Sequence, residues 1–164
     1  MRIETLQTSQ RLAVPLGQAW SFFSDPRNLE RITPPWLGLR ITSDLPPAMY
    51  PGMIVTYTVR ALPGIRVRWV TEITHVEEPR YFVDEQRFGP YRFWHHQHRF
   101  REIPGGVECE DRVHYALPFR AAGRLLAGNL VRRQLARIFG YRREVLAERF
   151  GEIQGSRSAG SGRP

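Results

Sequence analysis

The chain has 164 residues, 41% of them hydrophobic, and a formal net charge of +8; one domain near this size buries roughly 68–70% of its unfolded surface, ample for a core that contains a cavity. No apolar run approaches the roughly 18 residues of a membrane span, and the single cysteine, Cys109, excludes an intrachain disulfide and a zinc site built from several cysteines. All 24 basic residues are arginine, which excludes Schiff-base chemistry and P-loop phosphate binding, since both need a lysine amine.

The arginines are spread over strands, the last helix and the tail rather than gathered in a stripe, so nucleic acid is not expected as a partner. The opening Met1-Arg2-Ile3-Glu4-Thr5 lacks a charged-then-apolar leader, and together with the cysteine count this predicts a cytoplasmic protein.

Ile3 to Leu12 alternates weakly, as a first strand. Pro15 opens a short helix through Ser24 that groups Leu16, Ala19, Trp20 and Phe23 on one side. Asp25-Pro26, an N-cap residue followed by a first-turn proline, predicts a second short helix through Ile32, ended by Thr33-Pro34-Pro35. Trp36 and Leu37 lead into a strand through Ile41. Met53, Val55, Tyr57 and Val59 alternate with polar positions, and Val67, Trp69, Thr71 and Ile73 face them if Leu62-Pro63-Gly64 forms a three-residue loop. Tyr81 to Phe88 forms the next strand, ended by Gly89-Pro90. From about Gly123 to Phe150 the period turns helical, with Val131, Leu135, Ile138, Phe139, Leu146 and Phe150 as its apolar stripe. Residues 1–151 form the domain; 152–164, rich in Gly, Ser and Arg, read as a disordered tail.

Between these elements lies the most informative run. Tyr91 to Ile103 reads as a strand, and Pro104-Gly105-Gly106-Val107 as a hairpin turn with both glycines at positive φ. If Pro104 faces Val107, then Phe100 faces Asp111, His98 faces Val113, His96 faces Tyr115 and Trp94 faces Leu117. A one-residue slip would bury Arg112 beside His98, so the hydrophobic pattern selects this set of inward positions. The inward face is apolar yet carries His96, His98, Asp111 and Tyr115, which is the mixture of a ligand cavity.

This order resembles the START-like SRPBCC superfamily of ligand-binding and polyketide-cyclase/dehydrase-like proteins. The residues that carry the resemblance are Trp20 to Leu29, Ile32-Thr33-Pro34-Pro35-Trp36, Phe82 to Gln86, the Trp94, His96, His98 series, Asp111, Val113 and Tyr115, and Tyr141-Arg142. The resemblance implies an α+β helix-grip fold: a curved antiparallel sheet of about six or seven strands around a long C-terminal helix, with two short helices after the first strand. It also implies a cavity that binds a small or medium hydrophobic molecule with a polar end, as a carrier or sensor. The alternative is a cofactor-independent cyclase or dehydrase acting on a carbonyl-rich ligand. A further alternative is a protein-interaction or membrane-surface module that uses the arginine-rich outer side of the last helix.

Three readings of the histidines stay open. Strand rise places the Cα atoms of His96 and His98 about 7 Å apart on one face. With Asp111 or Cys109 they have the donor types of a metal site, but spacing supplies no third ligand, so no metal and no cofactor are expected. As an acid or base, His96 or His98 needs Asp111 or Tyr115 to orient it. As structural histidines, they need only partners such as Tyr115, Asp111 and Gln86. The candidate catalytic residues are therefore His96, His98, Asp111 and Tyr115. The expected ligand contacts are Trp20, Trp36, Tyr57, Trp69, Gln86, Trp94, His96, His98, Tyr115, Ile138 and Arg142. A buried Asp111 costs several kcal/mol unless paired; Arg142, on the stripe between Ile138 and Leu146, is its best cationic candidate, or else it snorkels to water. Gly140 nearby either lets the helix approach the sheet closely or is merely a tolerated helix-interior glycine.

Overall fold

The computed structural model describes residues 2–62, 65–118 and 121–154. Seven strands form one antiparallel sheet: β1 (Glu4–Leu12), β2 (Arg40–Ile41), β3 (Met53–Leu62), β4 (Ile65–Glu77), β5 (Tyr81–Phe88), β6 (Phe93–Ile103) and β7 (Gly106–Ala116). Their spatial order is β1-β7-β6-β5-β4-β3-β2. A short helix, α1 (Leu16–Phe23), follows β1, and the long helix α2 (Ala121–Phe150) closes the chain. This is the α+β helix-grip arrangement.

The second expected helix shrinks to a 3-10 turn over Pro26–Asn28. Asp25 caps it by accepting from the Arg27 N–H at 3.0 Å, but the Asn28 side chain turns back to the Phe22 carbonyl at 2.9 Å. Pro34 and Pro35 lack the N–H groups that a longer helix would use, and a second 3-10 turn covers Pro35–Leu37.

The β3–β4 register is the expected one, with Tyr57 opposite Trp69 and Val55 opposite Thr71. The proposed loop residues Pro63 and Gly64 lie outside the described residues, as does the tail from residue 155 on.

The β6–β7 register differs from expectation by two residues. Ile103 pairs with Gly106, so His98 faces Asp111, His96 faces Val113, Trp94 faces Tyr115 and Phe100 faces Cys109. The reason is the turn: Pro104 and Gly105 are its two central residues, and only Gly105 has positive φ, at 81°, the proline-then-glycine order of a type II turn. Gly106 is already in the strand. A Cβ there would lie 2.0 Å from the Leu12 carbonyl oxygen, so glycine is required by the close approach of β1. A two-residue shift preserves the face of every side chain, so the inward set survives while its pairings change.

Trp20, Phe22, Phe82, Phe100, Val107 and Leu146 pack one end of the core, between α1, the sheet and the last turns of α2. Trp94, Val113, Tyr115, Leu135 and Phe139 pack another part. Met53, Val55, Tyr57, Val59 and Ile73 line β3 and β4. Gly151, at φ 75°, ends α2 in the left-handed conformation. The chain then docks on β1 through the Ala13 N–H to Gly151 and Ile153 N–H to Arg11 bonds, at 3.1 and 2.9 Å. Among the described residues no helix is long and apolar enough to cross a membrane.

Candidate functional site

Between α2 and the β3–β6 part of the sheet lies a cavity of about 450 Å³, within the range of small-molecule pockets. Its walls include Phe23, Leu29, Val55, Ile73, Phe82, Val131, Leu135, Ile138 and Phe139. Leu130 and Arg60, both exposed, are also in the lining, so the cavity reaches solvent.

One part of the wall is polar. His96 and His98, each 5% exposed, come from consecutive inward positions of β6, and their rings sit 3.8 Å apart between centroids. Phe82, opposite His98 on β5, stacks on it at 4.0 Å. Asp84, opposite His96, places Oδ2 2.9 Å from His98 Nε2 and 3.2 Å from His96 Nδ1. Asp111 places Oδ1 3.0 Å from His96 Nε2 and 2.9 Å from His98 Nδ1. The His98 Nδ1 contact is out of line for a hydrogen bond. Trp94 Nε1 donates to Asp84 Oδ1 at 3.3 Å, and Arg142 Nη1 donates to Asp111 Oδ1 at 3.5 Å. The expected Arg142 to Asp111 pairing is thus present, and Arg142 also stays in the cavity lining.

Burial is the largest effect on each acidic group and by itself raises it. At Asp84 the charge and hydrogen bond of His96, with the bond from His98, outweigh burial and hold the carboxyl well below the usual range. At Asp111 the Arg142 charge and the two imidazoles do the same. Burial pushes His96 down, but the Asp84 charge and its bonds to both carboxylates raise it to about 9. With both carboxylates ionised, the charges of His96 and Arg142 balance them, which is how such a cluster is tolerated inside a protein. Tyr57 OH bonds Thr71 Oγ1 at 3.0 Å beside this cluster, and burial followed by the Asp84 charge pushes the phenol far up.

Of the expected contacts, Tyr57, Trp69, Trp94, His96, His98, Ile138 and Arg142 line the cavity, and four others do not. Trp20 is core, edge-on to Phe82 and Phe100 at 5.9 Å, because its helix face meets the sheet below the cavity. Trp36 is 45% exposed and packs outside against Tyr141, with the Arg137 guanidinium 5.1 Å over its ring. Gln86 closes the β5–β6 connection by donating to the Tyr91 carbonyl and accepting from its N–H, at 2.6 and 3.2 Å. Tyr115 is buried, and its hydroxyl donates to Glu4 Oε2 at 3.2 Å. Asp111 stands behind the histidines and is not part of the lining either. Cys109 faces Phe100, away from the cluster.

Asp84 is the residue that sequence reasoning missed. Its signal was a carboxylate on the face shared by Phe82 and Gln86, where an apolar residue is expected. Its presence removes the premise that no third donor accompanies His96 and His98: Asp84, His96 and His98 each offer a ligand atom, all within 4.8 Å of one another.

The profile of the family described as polyketide cyclase / dehydrase and lipid transport matches residues 12–139. The chain belongs to this family. Similar solved structures include protein Ms6760 from Mycobacterium smegmatis, 20% identical, with 90% of this chain and 95% of that one covered at a TM-score of 0.63. TTHA0849 from Thermus thermophilus is 17% identical, with 89% and 96% covered at 0.64, and Ara h 8.0201 is 13% identical, with 90% and 99% covered at 0.60. These identities establish a common fold alone. No curated protein sequence matches the chain. Family membership and the cavity agree on a fold that binds hydrophobic ligands.

Proposed function

We propose that this family member binds a small or medium hydrophobic molecule in its cavity, in the cytoplasm, as a carrier or sensor, and that the molecule's polar end meets the Asp84, His96 and His98 wall. The observation that carries this reading is the pairing of an apolar cavity with one polar wall. A second feature supports it: Trp69 Nε1 is buried on a lining residue with no partner among the described residues, and an unpaired buried donor costs about 1–3 kcal/mol. A carbonyl or hydroxyl oxygen of the ligand would satisfy it. Cofactor-independent acid or base chemistry on a carbonyl compound is a second reading, favoured by His96 and Asp84 both reaching the cavity.

Native mass spectrometry of the purified protein identifies any co-purifying molecule, and anilinonaphthalene sulfonate serves as a probe. Loss of a charged hydrogen bond in His96→Phe weakens the probe about tenfold or more. Tyr115→Phe, outside the lining, leaves affinity unchanged and serves as the control. Equal affinity in His96→Phe and the native protein would refute the polar-wall assignment.

A further inference from the structure

We propose that Asp84, His96 and His98 form a binding site for one divalent transition-metal ion, with an open coordination position facing the cavity. The inference rests on the donor geometry and not on the ligand reading, except for what would fill the open position.

Two imidazoles and one carboxylate are a sufficient donor set, since three protein ligands and a free position are the usual make-up of an open metal site. His96 Nδ1 and His98 Nε2 both converge on Asp84 Oδ2, at 3.2 and 2.9 Å. Donors bound tetrahedrally at about 2.0–2.1 Å stand about 3.3 Å apart; both contacts to Asp84 Oδ2 fall within a few tenths of an ångström of that, and the three donor atoms all lie within 4.8 Å of one another. All three side chains line the cavity.

A plain ion-pair cluster does not require the second half of the arrangement. The remaining ring nitrogens, His96 Nε2 and His98 Nδ1, both face Asp111 Oδ1, at 3.0 and 2.9 Å. A carboxylate behind a ligating histidine fixes its ring orientation and tautomer and raises its basicity, and here one carboxylate serves both rings. Arg142 Nη1 contacts the same Asp111 oxygen at 3.5 Å, and Trp94 Nε1 holds the free oxygen of Asp84. His98 Nδ1 is buried without a properly aligned hydrogen bond, and rotation of the ring toward an ion would let it align. The ion adds two positive charges and binds both imidazoles in their neutral form, so with Asp84 and Asp111 ionised and Arg142 cationic the charges sum to +1. The site then carries a net positive charge that suits an anionic or enolic oxygen of the bound molecule at the open position.

The test is a titration of chelator-treated native protein with Co2+, followed by visible d–d absorption, then competition with Zn2+. Cobalt binds such donors more tightly than iron(II) and less tightly than zinc, so it reports a site for either. The expected result is saturable uptake of one Co2+ per chain with the intense absorption of a low-coordinate site, displaced by Zn2+. Asp84→Asn and His98→Phe, checked for fold by near-ultraviolet circular dichroism, abolish it. Asp111→Asn, behind the ligands, weakens it about 10–100-fold without abolishing it. No saturable uptake by the native protein overturns the proposal. So does uptake that Asp84→Asn leaves unchanged, which would place the ion on surface histidines. Probe binding by the metal-free protein is read separately, so failure of the metal site and failure of the ligand cavity are distinguishable.

Discussion

His98 sits directly opposite Asp111 across β6 and β7, with His98 Nδ1 2.9 Å from Asp111 Oδ1. That pairing makes Asp111 the hinge of the buried polar cluster, since Arg142 and His96 lean on the same oxygen. Asp111→Ala leaves two cations, His96 and the partly buried Arg142, with Asp84 as the one remaining carboxylate of the cluster, and breaking a buried pair in this way costs about 3–5 kcal/mol. Chemical denaturation measures it; a loss below about 1 kcal/mol contradicts a paired Asp111.

The two hairpin glycines differ in what they require. Gly106→Ala drives a methyl into the Leu12 carbonyl and the Ile153 side chain, and overpacking of this kind costs about 1–3 kcal/mol or more. Gly105→Ala meets no close atom nearer than 3.8 Å but must hold φ at 81°, at about 1–2 kcal/mol. Gly106→Ala is the more destabilising of the two by thermal midpoint.

Gly140 behaves in the opposite way. A Cβ there has nothing within 4 Å, so the close helix approach expected of this glycine is absent. Gly140→Ala raises stability by about 0.8–1 kcal/mol through helix propensity, read as a higher thermal midpoint.

Cys109 is buried, and burial, with the Asp111 and Glu108 charges behind it, pushes the thiol up to about 12. A thiol that stays protonated and covered does not attack a disulfide reagent. Ellman titration at neutral pH gives no thiol in the native protein and one per chain after denaturation.

Alternation along the strands revealed which face each residue takes, and so made His96, His98 and Trp94 legible in the sequence alone. Faces do not reveal depth. Tyr115 shares the inward face yet ends against Glu4, and Trp20 lies on the right side of α1 yet fills core. Register escaped because Pro104-Gly105 and Gly105-Gly106 are both plausible turns, and only the contact of Gly106 with Leu12, a residue distant in the chain, decides between them. Asp84 showed in the sequence only as a carboxylate on the face of Phe82 and Gln86; its partners come from β6, so no spacing within β5 names its role.

The most direct measurement is probe binding after the cavity is filled. Ile138 lines the cavity from α2, and Ile138→Trp adds ring volume to that wall. Native protein is predicted to bind anilinonaphthalene sulfonate at a single saturable site, and Ile138→Trp to bind it at least about tenfold more weakly, a loss of about 1.4 kcal/mol, at an unchanged thermal midpoint. Equal affinity in the two proteins would contradict a ligand held between the sheet and α2.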